Sequence, residues 1–383
     1  MANRMEAAMA LEIRLSLQRL LIGLIVVIVP LSVLGLYLTS ESNGNLRQAV
    51  GGHLRTIART DGVVASQFIE DRIADVSAIA AEPAVLEAIQ AANRSREHVS
   101  NEVISARIEK IEQQWDSGQA DSRLREILSS RASSWLRSQR NTNPRLLKVI
   151  VADESGVTVA ATDKPLHYAQ ADEGYWPAVY AQGRGAVNVT DVRFDEQAKS
   201  HYIGISIPVL EEGSGRFIGA VSALVDVSGL FALLSRERIG RTGHILLVKD
   251  DGTVVSGPDV SADMKLKSEE FTAVRDALGT LEGRQTAYIV APMKNGARIV
   301  GFADTSLKKN YPNLNWLVLA SQDEQEAMSP VRTLDRFAFL MVVLGLLMLT
   351  LLVVYFFLHR EEPLEQVRVA ETLEPPKGKA VSA

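Results

Sequence analysis

Two apolar runs frame the chain. Leu20 to Thr39 holds 20 residues without a charge, and Phe337 to Leu358 holds 22. At about 1.5 Å per helical residue, each can cross the roughly 30 Å hydrocarbon layer of a bilayer. Membrane helices are therefore predicted over 20–39 and 336–358, with Pro30 at a point where a bilayer tolerates a kink. Between the runs the pattern first turns helical. Val50, Leu54, Ile57, Val64 and Phe68 recur on one face with charges opposite, which predicts a long stalk helix rising from the first run. The stretch "DRIADVSAIAAEPAVLEAIQAA" continues in helix formers and breaks near Pro83. A third stripe, in "HVSNEVISARIEKIEQQW", carries Val99, Val103, Ile104, Ile108, Ile111 and Trp115. Stripes of this kind serve as core or as a dimer seam, and a stalk of two protomers side by side predicts a homodimer.

From Leu146 the period shortens to that of strands. "LLKVIVADESGVTVAAT" reads as strand, tight turn and strand with Gly156 in the turn, and "GHILLVKDDGTVVSGP" repeats the design with Gly252. Three pairs of landmarks lie 97 residues apart: Asp153 and Asp250, Gly204 and Gly301, Asp226 and Asp323. The outer region is therefore predicted as two copies of one antiparallel module of about five short strands each, over about 61–238 and 239–328. "VSADMKLKSEEF" is expected to be a polar loop of the second copy.

Charge sets the expected topology. Arg4, Arg14, Arg19, Arg360, Arg368, Lys377 and Lys379 lie outside the two runs, against Arg47, Arg55, Arg59, Arg332 and Arg336 on the flanks of the loop between them. That bias puts both termini in the cytoplasm and about 40–335 outside it. A cleaved signal peptide competes for the first run, but its apolar stretch exceeds the usual 7–15 residues and no A-x-A site follows. Segments 1–19 and 359–383 are expected to be cytoplasmic. The latter carries Pro363, Pro375 and Pro376 among charges, a composition that builds no core.

Composition narrows the chemistry. With 46% hydrophobic and 23% charged residues the chain is expected to fold, and its net charge of -5 argues against a nucleic-acid partner. The absence of cysteine excludes disulfides, thiol catalysis and Cys-ligated zinc. The six histidines form no i, i+4 pair, and no H-E-x-x-H, G-x-S-x-G, P-loop or G-x-G-x-x-G string is present. Glu211 and Glu212 read as solvated charges of a hairpin turn. No catalytic residue, metal site or cofactor is predicted.

The order of membrane helix, stalk, two repeated modules and second membrane helix, with "DESGVTVAAT", "IGISIPVL", "GRFIGAVSALVDVSGL" and "LVKDDGTVVSG", resembles the double Cache domain. This is the extracytoplasmic sensor of many bacterial chemoreceptors, histidine kinases and cyclic-dinucleotide enzymes. The resemblance implies an α+β fold, two tandem PAS-like Cache modules with antiparallel sheets on the N-terminal stalk helix, in a two-pass protein of the bacterial inner membrane. It also implies a small-molecule ligand in the membrane-distal module, under the segment "LHYAQADEGYWPAVYAQGRG". Its expected ligand-binding residues are Tyr168, Glu173, Tyr175, Trp176, Tyr202 and Asp226. In amino-acid-binding members a Tyr precedes R-x-W-[YF], whose Arg grips the ligand carboxylate, while a later Asp takes the ammonium. Here Asp226 matches that Asp and Tyr168 the Tyr, but Glu173 stands in place of Arg and Tyr175-Trp176 reverse the aromatic pair. A cationic amine suits Glu173 and Asp226 among aromatic faces better than an α-amino acid does. The competing readings are structural, with the Tyr-Trp pair as core and Asp226 as a helix cap.

Family members with their own output continue past the second membrane helix. The short segment after Leu358 leads to the expectation of a separate partner: a histidine kinase, cyclase or transporter. A periplasmic scaffold without a ligand, or an assembly regulator like those that set polysaccharide chain length, is the alternative.

Overall fold

The computed structural model describes residues 17–195, 199–258, 260–261, 264–278 and 286–358. The readings made above for 1–16 and 359–383 lie outside the described residues. Two compact units result, Arg47–Met328 and a second drawn from Met1–Leu46 and Ser329–Ala383.

The larger unit begins within helix α1 (Leu17–Ala80) and continues through α2 (Pro83–Arg94), α3 (Asn101–Asp116), α4 (Asp121–Ser129) and α5 (Arg131–Thr142). Proline at the first turn of α2 fixes the break foreseen near Pro83. Ser130 caps α5, its hydroxyl accepting from the Ser133 N–H at 3.1 Å. The first sheet contains β1 (Leu146–Asp153), β2 (Thr158–Ala161), β3 (Asn188–Val189), β4 (Arg193–Asp195), β5 (Ser200–Leu210) and β6 (Phe217–Asp226), with short helix α6 (Trp176–Tyr180) in the segment between β2 and β3. Its order is β2-β1-β6-β5-β3, with β4 also pairing β5. Helix α7 (Ser228–Arg236) leads into the second sheet of β7 (His244–Lys249), β8 (Val254–Gly257), β9 (Val260–Ser261), β10 (Thr286–Met293), β11 (Gly296–Asp304) and β12 (Trp316–Asp323), in the order β10-β11-β12-β7-β8-β9. Helix α8 (Glu269–Leu278) lies between β9 and β10, and α9 (Glu324–Ala327) and α10 (Ser329–Leu358) follow β12. Every strand pair is antiparallel. The expected loop "VSADMKLKSEEF" is corrected in part: it holds β9 and the start of α8, where the Ser268 hydroxyl accepts from the Phe271 N–H at 3.1 Å.

The duplication is present, but its register corrects two of the three landmarks. Gly204 pairs with Leu224, whereas Gly301 pairs with Ala320 and it is Val300 that pairs with Ser321. The turns agree: Gly156 donates to the Asp153 carbonyl and Gly252 to that of Lys249, both at 2.9 Å. Gly204 therefore corresponds to Val300 and Asp153 to Lys249. Only Asp226 and Asp323 are equivalent, each ending its strand and accepting the N–H two residues on, from Ser228 at 2.8 Å and Gln325 at 2.9 Å. A shift of one residue turns a side chain to the other face of a sheet. Gly204 faces Thr190, whereas Gly301 faces α1, where an added Cβ would lie 2.3 Å from the Leu54 carbonyl carbon.

That close approach also revises the stalk stripe. Leu54 is fully buried as expected, but the seam continues through Ala58, Asp61, Ala65, Ile69, Ile73 and Val76. Ile57, Val64 and Phe68 flank it half-buried. Small residues let the helix backbone approach β11, and the Ser66 hydroxyl donates to the Thr305 carbonyl at 2.5 Å. Among the third stripe's residues, Trp115 is buried and Ile108 and Ile111 pack beside it, while Val103 is exposed.

In the smaller unit, α1 holds a helix long and apolar enough to cross a membrane; the apolar stretch Phe339–Tyr355 of α10 is shorter. Val26, Val27, Leu31, Phe339 and Met341 are exposed. An added Cβ at Gly345 would sit 3.7 Å from Ile28, so a small residue marks the approach of the two helices.

Candidate functional site: the covered face of the first sheet

The two faces of the first sheet are covered differently. Val149, Val151, Val221, Ala223, Ile203 and Ile205 are buried on one. On the other, β6 alternates in the opposite sense beyond Ala220, so that Ser222, Leu224 and Asp226 are half-exposed, as are Lys148 and Ile150 on β1 and Tyr202 on β5. The cross-strand pairs Lys148–Leu224, Ile150–Ser222, Ser206–Ser222 and Tyr202–Asp226 set these side chains side by side. The segment from Asp163 to Val192 covers this face.

Local chemistry anchors the cover. The turn between β1 and β2 needs a left-handed residue, and Gly156 has φ +74; a Cβ there would fall 2.6 Å from Ala171 of the cover. Asp153 is fully buried. One of its oxygens accepts from the Ser155 and Val157 N–H groups at 3.0 and 3.1 Å, and the other pairs with Arg96. Gln170 sits under the turn, its N–H donating to the Gly156 carbonyl at 2.6 Å. At the far end the Thr190 hydroxyl accepts from the Gly204 N–H at 2.8 Å.

The six expected residues separate into two groups. Tyr168 lies in another cluster, buried against Trp115 with ring centroids 5.6 Å apart, and its hydroxyl accepts from Arg123 at 3.3 Å. Trp176 is core, packed edge-on to Phe217 at 5.8 Å beside Ala152, Val179 and Ala220. Both are aromatics whose burial is complete without a ligand. Tyr175 is half-exposed, and its hydroxyl donates to Gln170 Oε1 at 3.0 Å. Burial, and then the nearby Glu173 charge, push the Tyr175 phenol well above its ordinary range although Ser222 bonds to it. Tyr202 and Asp226 are cross-strand neighbours. Glu173, Tyr175, Tyr202 and Asp226 thus belong to the covered face, Trp176 packs at its Ala152–Ala220 end, and Asp226 also accepts from the Ser228 N–H at the start of α7.

Two cations on that face are not among the expected residues. Lys148 is held below the ordinary lysine range by burial, against the opposing pull of Asp163 and Glu173, and its ammonium donates to the Lys164 carbonyl at 3.1 Å. Arg193 pairs with Tyr202, so Arg193, Tyr202 and Asp226 form one row across three strands. Strand alternation could have placed Lys148 beside the cover; the two-residue β3 and three-residue β4 left no pattern from which to place Arg193. Together the face presents carboxylates at Glu173 and Asp226, cations at Lys148 and Arg193, and hydroxyls at Tyr175, Ser206 and Ser222. Such an array has the chemistry to hold a small polar molecule by several charge-assisted bonds.

The Cache domain family matches residues 42–331. No curated protein matches the chain. Among solved structures, the ligand-binding domain of the Pseudomonas aeruginosa amino acid chemoreceptor PctC, in complex with GABA, is 16% identical, with 72% of this chain and 100% of that one covered and a TM-score of 0.46. The ligand-binding domain of the Campylobacter jejuni chemoreceptor Tlp3, in complex with L-norvaline, is 12% identical, with 74% and 94% covered and a TM-score of 0.48. That of the Pseudomonas fluorescens chemoreceptor CtaA, in complex with L-isoleucine, is 15% identical, with 75% and 98% covered and a TM-score of 0.45.

Proposed function

The chain belongs to the Cache domain family, and from that premise we propose that it is a membrane-anchored extracytoplasmic sensor whose first module binds a small amine-bearing molecule. The reading includes two membrane crossings, cytoplasmic termini, and an occupancy signal passed to a histidine kinase, cyclase or transporter. One observation carries it: on a sheet whose other face is sealed, the side chains beneath the cover are charged and mutually complementary, with Lys148, Glu173, Tyr202 and Asp226 half-exposed and Arg193 exposed at the edge.

Asp226 and Glu173 supply negative charge for an ammonium, and Tyr175 and Tyr202 supply aromatic faces that favour a cation. Lys148 and Arg193 modify the expectation of a simple amine, because a ligand with an anionic or strongly accepting end as well would satisfy both groups. Small molecules with a separated amine and carboxylate fit this array better than monoamines. Binding biases signalling only through its difference in affinity between two states of the receptor, and a cover fastened at Gly156 and at Thr190 is the element a ligand would draw onto the sheet.

The test is a thermal-stability screen of the full chain in lipid nanodiscs against monoamines, zwitterions and dicarboxylates. A ligand at about 100 times its Kd should add about 2.7 kcal/mol. Asp226→Asn keeps an oxygen to cap α7 while removing the charge, so it separates the two roles of this residue. Amine-bearing ligands should bind it roughly tenfold or more weakly, at the scale of a charged hydrogen bond. No shift with any class, or equal affinity for Asp226→Asn, would leave the scaffold reading in its place.

A further inference from the structure

We propose that the second module carries its own ligand site, specific for a small monocarboxylate with a short aliphatic chain. A cavity of about 490 Å³ opens on the second sheet and is lined by Leu246, Val254, Leu266, Met293, Lys294 and Arg298, with His244, Ser268 and Glu270 at its polar end. Its volume lies within the range of small-molecule sites. Its position is not arbitrary. His244 pairs with Ser321 as Lys148 pairs with Leu224, and Arg298 pairs with Asp323 as Tyr202 pairs with Asp226. The cavity therefore occupies, in the second copy, the place of the covered face in the first, with different side chains.

Those side chains select an anion. Glu270 Oε1 accepts from His244 Nε2 at 3.0 Å and the Ser321 hydroxyl at 3.1 Å, and Oε2 accepts from the Ser268 hydroxyl at 3.1 Å. Burial pushes this carboxyl up, but the His244 bond and charge, the Arg298 charge and the Ser321 bond more than offset it and hold Glu270 below the ordinary range. An ionised carboxylate so fully bonded has little left for a cationic ligand. Arg298 is the opposite case. Its Nη2 donates to the Thr242 carbonyl at 2.9 Å, to His244 Nδ1 at 3.2 Å and to the Ser321 hydroxyl at 3.2 Å. Those three acceptors share the two Nη2 protons, and on the other side of the ring His244 Nε2 lies within reach of Glu270 and of the Ser321 hydroxyl at 3.3 Å. Arg298 Nε lies 3.4 Å from Glu270 without a hydrogen-bond acceptor. All three of those bonds leave from Nη2, so Nη1 is the donor a ligand carboxylate would meet, Lys294 stands at the rim paired with Glu269 at 3.0 Å, and Leu246, Val254, Leu266 and Met293 offer apolar surface to an alkyl tail.

The experiment uses the full chain in nanodiscs, titrated with acetate, butyrate and hexanoate and with butylamine as the charge-reversed control. Carboxylates should bind, each added methylene tightening binding about threefold to fourfold where it reaches the apolar wall. Arg298→Gln should weaken butyrate about tenfold or more. Since Arg298 also orders His244, Leu266→Trp provides an independent variant: it obstructs the mouth from an exposed position and should abolish binding while leaving the polar network intact. Asp226→Asn separates the two modules. Loss of carboxylate binding in Asp226→Asn alone would assign the anion to the first module and overturn the proposal. So would absence of binding up to about 10 mM, tighter binding of butylamine than of butyrate, or equal affinity in wild type, Arg298→Gln and Leu266→Trp.

Discussion

Asp61 lies in the seam of α1, only 5% exposed, with Glu237 as its charged neighbour and with Oδ2 lacking a hydrogen-bond partner. Burial, then the Glu237 charge and hydrogen bond, push its carboxyl up to about 7. The folded chain therefore keeps a proton that the unfolded chain releases near pH 4. Its stabilising contribution is complete below the unfolded value and is lost as pH rises through about 7, since the native state binds more protons across that window. Asp61→Asn should remove this dependence. Melting temperatures measured at pH 5, 6, 7 and 8 should fall more steeply for wild type than for Asp61→Asn, and parallel slopes would refute the assignment. Residues also set the limits of the sequence reading. Asp226 was legible because it ends a strand and precedes a helix, which leaves a ligand role and a capping role both open. Tyr168 and Trp176 are buried in apolar clusters, and an aromatic near an expected pocket looks the same in sequence whether it lines the pocket or fills the core. Lys148 lies within a run of apolar residues that reads as buried strand; alternation sets it opposite Val149 and Val151, but pairing with β6 is needed to show what it stands beside.

At the scale of elements, the duplicated sheets were visible because strand, glycine turn and strand recur with the same polarity. Their register was not. Two glycines 97 residues apart fell on opposite faces because the separation is 96 along β1, β2 and β5 and 97 only along β6. Hydropathy does not distinguish a glycine that admits a helix backbone from one that faces a threonine. The distinction predicts different costs. Gly301→Ala forces a Cβ into the α1 backbone at 2.3 Å, whereas at Gly204 the nearest atom is the Thr190 hydroxyl at 3.0 Å, a side-chain contact relieved by a small shift. Overpacking of the first kind costs about 1–3 kcal/mol. Chemical denaturation should show Gly301→Ala markedly less stable than Gly204→Ala; the reverse order would contradict the packing of α1 on β11. The stalk stripe was misplaced for a related reason, since Ala58, Asp61 and Ala65 hold the middle of the seam, where the chain lacks the larger residues that define a hydrophobic pattern.

At the scale of the whole molecule, the chain joins a ligand-binding fold to exposed apolar helices. Val26, Val27, Leu31, Phe339 and Met341 together would be costly to leave in water, at about 25 cal/mol per Å² of apolar surface. The expressed chain should remain with the membrane fraction after alkaline carbonate extraction and require detergent for release; recovery in the carbonate supernatant would contradict membrane anchoring. The central claim concerns the first module, and hydrogen–deuterium exchange on the full chain with a saturating amine-bearing ligand tests it most directly. Amide protection should rise across the cover between Tyr168 and Thr190 and along β5 and β6 near Tyr202 and Asp226. Protection confined to the second sheet, or unchanged throughout the chain while the compound is bound, would contradict it.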